Sequence, residues 1–177
     1  MYSTTKIAII DDGVCEEFFN TELEEKIEIT YTNEIIKPKS FKPLEPNHGS
    51  ICAGIIKKYS PNAPIISIKL LNNDGRGELK QLVKAIQWCI SKGIKIINLS
   101  LGTTYYEDSF ELRRIVKRAV KEGIIIIAAC SNEGLITYPS CFSDVIGVKN
   151  DNLDYVNEGE YIYNNYPNDG IEIATNG

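Results

Sequence analysis

The chain has 177 residues, 43% of them hydrophobic and 24% charged, which is the usage of a folded globular chain and excludes a disordered or collagen-like one. A net charge of −5 leaves no basic footprint, so neither nucleic acid nor an anionic membrane surface is expected as a partner. The longest apolar runs, such as 124–130, fall far short of the ~20 residues that cross a bilayer, and no signal-type apolar region opens the chain.

A single domain over 1–177 is expected at this length. The five cysteines, Cys15, Cys52, Cys89, Cys130 and Cys141, are odd in number and have no CxxC or Cys/His motif spacing. That argues against a disulfide framework and a zinc site, and for a reducing, cytoplasmic setting.

Residues 6–11 form an apolar run closed by Asp11, Asp12 and Gly13, read as a buried strand whose C-terminal end is a candidate active-site edge. With the strand starting at Lys6, no N-terminal propeptide is expected. A second strand is expected over 27–31. Residues 32–46 hold three prolines and no sustained period, which predicts a surface loop leading to His48 and then a short helix over 48–58. A strand follows over 65–71.

Two later stretches share one grammar. Leu79, Leu82, Val83, Ile86 and Ile90 recur at helical spacing, Gly93 supplies the stop, and 94–99 reads as a strand. Asp108 with Glu111 predicts an N-terminal cap, Leu112, Ile115, Val116 and Ala119 an apolar face, Gly123 the end, and 124–129 a strand. Further strands are expected over 145–149 and 171–174, with loops or a hairpin across 150–169. Helices alternating with apolar strands predict an α/β fold: a doubly wound, mainly parallel sheet of about seven strands with helices on both faces.

In such a sheet ligands bind beyond the carboxyl ends of the strands. Asp11, Ser100 and Asn132 stand there, and His48 is the only histidine, hence the candidate general base. Each residue has an ordinary explanation by itself. A strand-end carboxylate caps helices, an Asn suits a turn, and a buried Cys is a small hydrophobe.

Together, Ile9-Ile10-Asp11-Asp12-Gly13, His48-Gly49-Ser50-Ile51-Cys52-Ala53-Gly54, Asn98-Leu99-Ser100-Leu101-Gly102 and Ala128-Ala129-Cys130-Ser131-Asn132-Glu133-Gly134 resemble, in order, the signatures of the subtilisin-like serine peptidases. Tyr138-Pro139 resembles the family's X-Pro bond that is commonly cis. Departures are Ser131 where Gly is usual, Ile51 where a second His is usual, and Thr-Asn-Gly closing the last strand in place of Ala-Pro-Gly.

The resemblance implies an Asp-His-Ser triad in which Asp11 orients His48 and His48 acts as base. Asn132 would aim its amide at the oxyanion, a donor worth roughly 2.7–4 kcal/mol in subtilisin. Ser100, Leu101 and Gly102 would offer backbone groups to an extended peptide, and Cys130 and Ser131 would shape the pocket before the scissile bond. The family's nucleophile lies in a Gly-Thr-Ser-x-Ala segment, and no serine of these 177 residues has that context. The Ser is therefore expected beyond Gly177, on a missing C-terminal segment, and the chain alone is expected to be inactive. No cofactor is expected. The family admits calcium, but the acidic stretch 151–160 reads equally as solvated surface.

Two alternatives have discriminators. A natural pseudopeptidase would bind peptides without cutting them. A phospho-acceptor receiver would use Asp11 and Asp12 to hold Mg²⁺, with Lys149 past a later strand. Such a domain places its acceptor Asp after the third strand, where this chain reads Asn72-Asn73-Asp74, and it would leave His48 and Asn132 idle.

Overall fold

The opening apolar run forms strand β1 (Ile7–Asp11), in which Ala8, Ile9 and Ile10 are at most 1% exposed. The computed structural model describes residues 5–18, 22–38, 45–151, 155–165, 167 and 169–176. Within it the chain forms two compact units, Met1–Asn98 and Leu99–Gly177.

In the first unit, β1 is buried on both faces and has a parallel neighbour, as strands of covered parallel sheets do. β2 (Glu25–Ile29) and a two-residue β3 (Ile35–Ile36) precede helix α1 (His48–Tyr59) and strand β4 (Ile65–Lys69). β4 pairs in parallel with β1, Ile7 opposite Ile65 and Asp11 opposite Lys69, and also in parallel with β2. β3 is antiparallel to β2 at the edge. α1 lays Ala53 against Ile9, Val14 and Ile65.

Helix α2 (Leu79–Ser91) buries Leu82, Val83 and Ile86 of the face its periodicity predicts, together with Ala85 and Cys89, while Leu79 and Ile90 of that face are half-buried. Gln81, 1% exposed, accepts a hydrogen bond from Glu78 N at 2.8 Å and donates one to Ile29 O at 2.7 Å. The helix start is thereby tied to the end of β2. Strand β5 (Ile96–Leu99) follows, Ile96 N donating to Lys6 O.

The second unit contains α3 (Asp108–Lys121), β6 (Ile125–Ala129), β7 (Ile146–Asn150), β8 (Tyr161–Tyr163) and β9 (Ile173–Thr175), the strands in the order β6-β7-β9-β8. β6, β7 and β9 run parallel and β8 is antiparallel to β9. α2 and α3 end alike. Gly93 and Gly123 take φ of 66° and 75°, and the amides of Ile94 and Ile124 each donate back 3.1 Å, to Cys89 O and Ala119 O. That closure uses Ile94 and Ile124 in the turn, so each following strand starts later than its apolar run.

The described residues hold nine strands, the two beyond the expected set being short antiparallel partners, β3 and β8. Neither shows the length or alternation that marks a strand in sequence. Asp108 does not cap α3. Glu107 is the N-cap residue, in helical conformation, and the Asp108 carboxylate accepts from Thr103 Oγ1 at 2.7 Å. The loops expected before His48 and across 150–169 fall partly outside the described residues, at 39–44, 152–154, 166 and 168.

Gly49, in the first turn of α1, is pressed against the exit of β1: a Cβ built on it would lie 2.3 Å from Gly13 O and 3.1 Å from Asp12 Oδ1. Gly13 itself has φ 101°, the left-handed region in which glycine carries no steric penalty. Gly49→Ala is expected to lower unfolding free energy by about 1–3 kcal/mol in urea titration. An unchanged midpoint would contradict the close approach.

Candidate active site

Asp11 ends β1, and its side chain is 1% exposed. Oδ1 accepts from Asp12 N at 2.8 Å, and Oδ2 lies 2.8 Å from His48 Nδ1. A carboxylate there takes an N–H, so Nδ1 carries the proton and the Nε2 lone pair is left for other chemistry. The imidazole is 57% exposed, so it remains open to solvent. Burial is the largest influence on the Asp11 carboxyl and pushes it above its ordinary 3.8. The bonds from Asp12 N and His48 pull the other way without cancelling it.

Asp12 has a separate task that sequence reasoning missed. Its carboxylate accepts from Asn47 Nδ2 at 2.7 Å, from Gly49 N at 2.9 Å and from His48 N at 3.3 Å. Asn47 stands at the N-cap of α1 but makes no cap bond with its own side chain. Asp12 therefore satisfies the first amides of α1 from the neighbouring strand end. The acidic pair divides its work: one carboxylate holds the ring, the next holds the backbone that carries it. Ser50, fully buried, accepts from Cys15 N at 2.8 Å and donates to Asn47 Oδ1, closing the same turn.

In the second unit, Ser100, Leu101 and Gly102 follow β5 and lead into an antiparallel bridge between Thr103 and Tyr138, with mutual bonds of 2.9 and 2.8 Å. Gly102 makes room for it, because a Cβ there would lie 2.5 Å from Thr137 Cγ2. Tyr138-Pro139 is cis. Thr137 organises the loop after β6: its hydroxyl accepts from Ser131 N at 2.9 Å and donates to Leu135 O at 3.1 Å. No motif in the sequence marks Thr137 for this, since its partners lie within six residues and any small polar residue fits the pattern.

Cys130, Ser131 and Asn132 line a cavity of about 380 Å³ with Thr137, Lys149 and Asp169. Lys149 donates to Asp169 Oδ2 at 2.5 Å, and this bond holds the Asp169 carboxyl below its ordinary range. Burial pushes the thiols of Cys130 and Cys141 up, and that of Cys89 to about 12. In each, burial favours the neutral thiol over the thiolate that a nucleophile needs. None of the five cysteines is in a disulfide.

The sequence matches the profile of the subtilase family over residues 3–168. It is 32% identical over 155 residues to the minor extracellular protease Epr of Bacillus subtilis, covering 81% of this chain and 23% of that protein. It is 29% identical over 191 residues to thermitase of Thermoactinomyces vulgaris, covering 93% and 66%. To an intracellular serine protease of Paenibacillus polymyxa it is 33% identical over 133 residues, covering 66% and 40%. The solved structure of a lanthipeptide protease is similar in fold, with a TM-score of 0.70 at 22% identity over 83% of this chain and 48% of that one. The chain thus spans 23 to 66% of the length of these curated relatives.

The buried Asp11 charge gives a signed prediction. Its carboxyl is raised in the fold, so its contribution to stability is complete below about pH 3.8 and declines as pH rises through the folded value. Asp11→Asn removes that titration. The variant's stability relative to wild type, from urea midpoints, is expected to increase from pH 4 towards neutrality and then level off. A difference that is constant or shrinks with rising pH would contradict the burial assigned to Asp11.

Proposed function

Because the chain belongs to the subtilase family, whose profile it matches over residues 3–168, we propose that it supplies the Asp and His of a serine endopeptidase acting on peptide or protein substrates. One observation carries the reading: a buried Asp11 carboxylate 2.8 Å from Nδ1 of an otherwise exposed His48 ring. That arrangement fixes the tautomer of the ring that leaves Nε2 pointing outward as the acceptor, which is the orientation a general base needs.

In this reading His48 Nε2 takes the proton of an attacking hydroxyl, and Asp11 stabilises the imidazolium that results. Asn132 donates its side-chain amide to the oxyanion. The Ser100, Leu101 and Gly102 backbone pairs with an extended substrate as an added strand, and Cys130 with Ser131 walls the pocket for the residue before the scissile bond. The hydroxyl comes from a Gly-Thr-Ser-x-Ala segment that these 177 residues do not contain, so they hold the base and its orienter without the nucleophile. No step in this scheme calls on a metal or organic cofactor.

We place the protein in the cytoplasm. Five cysteines outside any disulfide and a relative described as intracellular support this. Among the described residues no helix is long and apolar enough to cross a membrane.

The test is kinetic. In a form that also carries a Gly-Thr-Ser-x-Ala segment, His48→Ala is expected to lower kcat on a casein-derived peptide by roughly 10⁶-fold. Asn132→Ala is expected to lower kcat by about 10²–10³-fold with KM little changed. The 177 residues alone are expected to leave the peptide intact. Wild-type turnover by His48→Ala would reject the base, and an Asn132→Ala effect confined to KM would reject the oxyanion role.

A further inference from the structure

Helix α3 gathers nearly all the positive charge of the second unit. That unit, 99–177, has six Lys and Arg against twelve Asp and Glu. Five of the six, Arg113, Arg114, Lys117, Arg118 and Lys121, lie on this one helix, and all five are exposed. At 100° per residue they fall within an arc of about 140°, opposite the buried Leu112, Ile115, Val116 and Ala119. The proposed hydrolysis gives this face no role. We propose that the outer face of α3 binds an acidic segment of a peptide or protein, about four residues long when extended.

Ordinary helix energetics account for only part of the stripe. The partial negative charge at a helix C-terminus favours Arg118 and Lys121 in the last turn. Arg113 and Arg114 stand in the second turn, beyond the reach of that attraction. Arg113 and Lys117, Arg114 and Arg118, and Lys117 and Lys121 are like charges four residues apart, a spacing at which they repel. A solvated face needs no such arrangement, since alternating Glu and Lys would be as soluble and would stabilise the helix. Among the described residues no ion pair joins Arg114, Lys117, Arg118 or Lys121 to a carboxylate.

The dimensions and surroundings of the stripe select its partner. It runs for about 12 Å along the helix axis, with Glu111 before it and Glu122 after it. An extended peptide is narrow enough to lie along it. A membrane plane or a nucleic-acid duplex would also meet the carboxylates that outnumber the cations of this unit, and repulsion there disfavours both. Membrane insertion further needs an apolar helix face turned outward, whereas that of α3 is buried in its own core. The stripe starts close to the segment assigned above to the substrate backbone. The Arg113 guanidinium lies 4.2 Å from the centroid of the Phe142 ring, Phe142 is 5.6 Å from Tyr138, and Tyr138 is bridged to Thr103, which follows Gly102. An acidic stretch away from the scissile bond would hold a substrate to the same unit that pairs with its backbone. Binding itself stands apart from the proposed function, whereas its use in substrate capture rests on it.

The test is fluorescence anisotropy on the 177-residue chain, with circular dichroism to confirm folding of each variant. The probes are a dye-labelled peptide holding four consecutive glutamates and its all-glutamine counterpart. Vesicles containing phosphatidylserine, a polyuridylate RNA and the unlabelled glutamate peptide serve as competitors. The glutamate peptide is expected to bind about 10-fold more tightly than the glutamine one, and to lose that advantage near 1 M salt, where the screening length falls to about 3 Å. Combining Arg114→Glu, Lys117→Glu and Arg118→Glu is expected to remove the preference. Combining Lys6→Glu, Lys80→Glu and Lys95→Glu, exposed cations of the first unit, changes the net charge equally and is expected to keep most of it. Equal affinity for the two peptides, equal loss in the two variants, or stronger competition by vesicles or RNA than by the unlabelled peptide would overturn the site. In a serine-carrying form, a glutamate tract added to the casein-derived peptide is expected to lower KM with kcat little changed, and the α3 variant to abolish that gain. Anisotropy binding with an unmoved KM would uphold the site and reject its use in substrate capture. Absence of all cleavage would instead reject the proposed function and leave the site upheld by anisotropy.

Discussion

The arrangement around His48 depends on two adjacent carboxylates at the end of one buried strand. Successive residues of a strand point to opposite sides, so Asp11 and Asp12 are delivered in different directions from one short segment. Asp11 turns inward, loses its water, and finds the imidazole. Asp12 turns to the start of α1 and satisfies the amides of His48 and Gly49. The ring and the backbone that bears it are thus both anchored to β1, a strand held by parallel β4 along its full length. This is how a half-exposed side chain is kept in one orientation without being buried itself.

The same anchoring sets a cost. A carboxylate at 1% exposure is raised by desolvation, and its compensation is limited to one backbone amide and one ring nitrogen. The fold is therefore expected to tolerate loss of the Asp11 charge better than the chemistry does, the trade that functional sites commonly show. Close packing contributes as well: Gly49 against Gly13, and Gly102 against Thr137, remove side-chain volume where two backbones must approach.

Much of this was readable from residues alone, and the limits have physical causes. The long strands and helices α2 and α3 carry strong periodicity, and Gly93 and Gly123 mark real helix ends. β3 and β8 escaped because two- and three-residue strands are defined by their partners and not by their own pattern. The Asp108 cap failed because Thr103, across a turn, competes for the same carboxylate. Asp11 and His48 were conspicuous as chemistry-bearing residues, but the division of labour with Asp12 depends on which way each carboxylate faces. Thr137 and the Lys149–Asp169 pair are partners made by the fold, and nothing in their local sequence announces them.

The central claim is that the buried Asp11 carboxylate dictates which nitrogen of His48 carries the proton. Long-range ¹H–¹⁵N correlation of the imidazole in the 177-residue chain, at a pH where the ring is neutral, reads this directly. The account predicts one dominant tautomer with the proton on Nδ1, reverting in Asp11→Ala to the mixture of a free imidazole. A ring that is already a mixture in the wild-type chain, or protonated on Nε2, would contradict it.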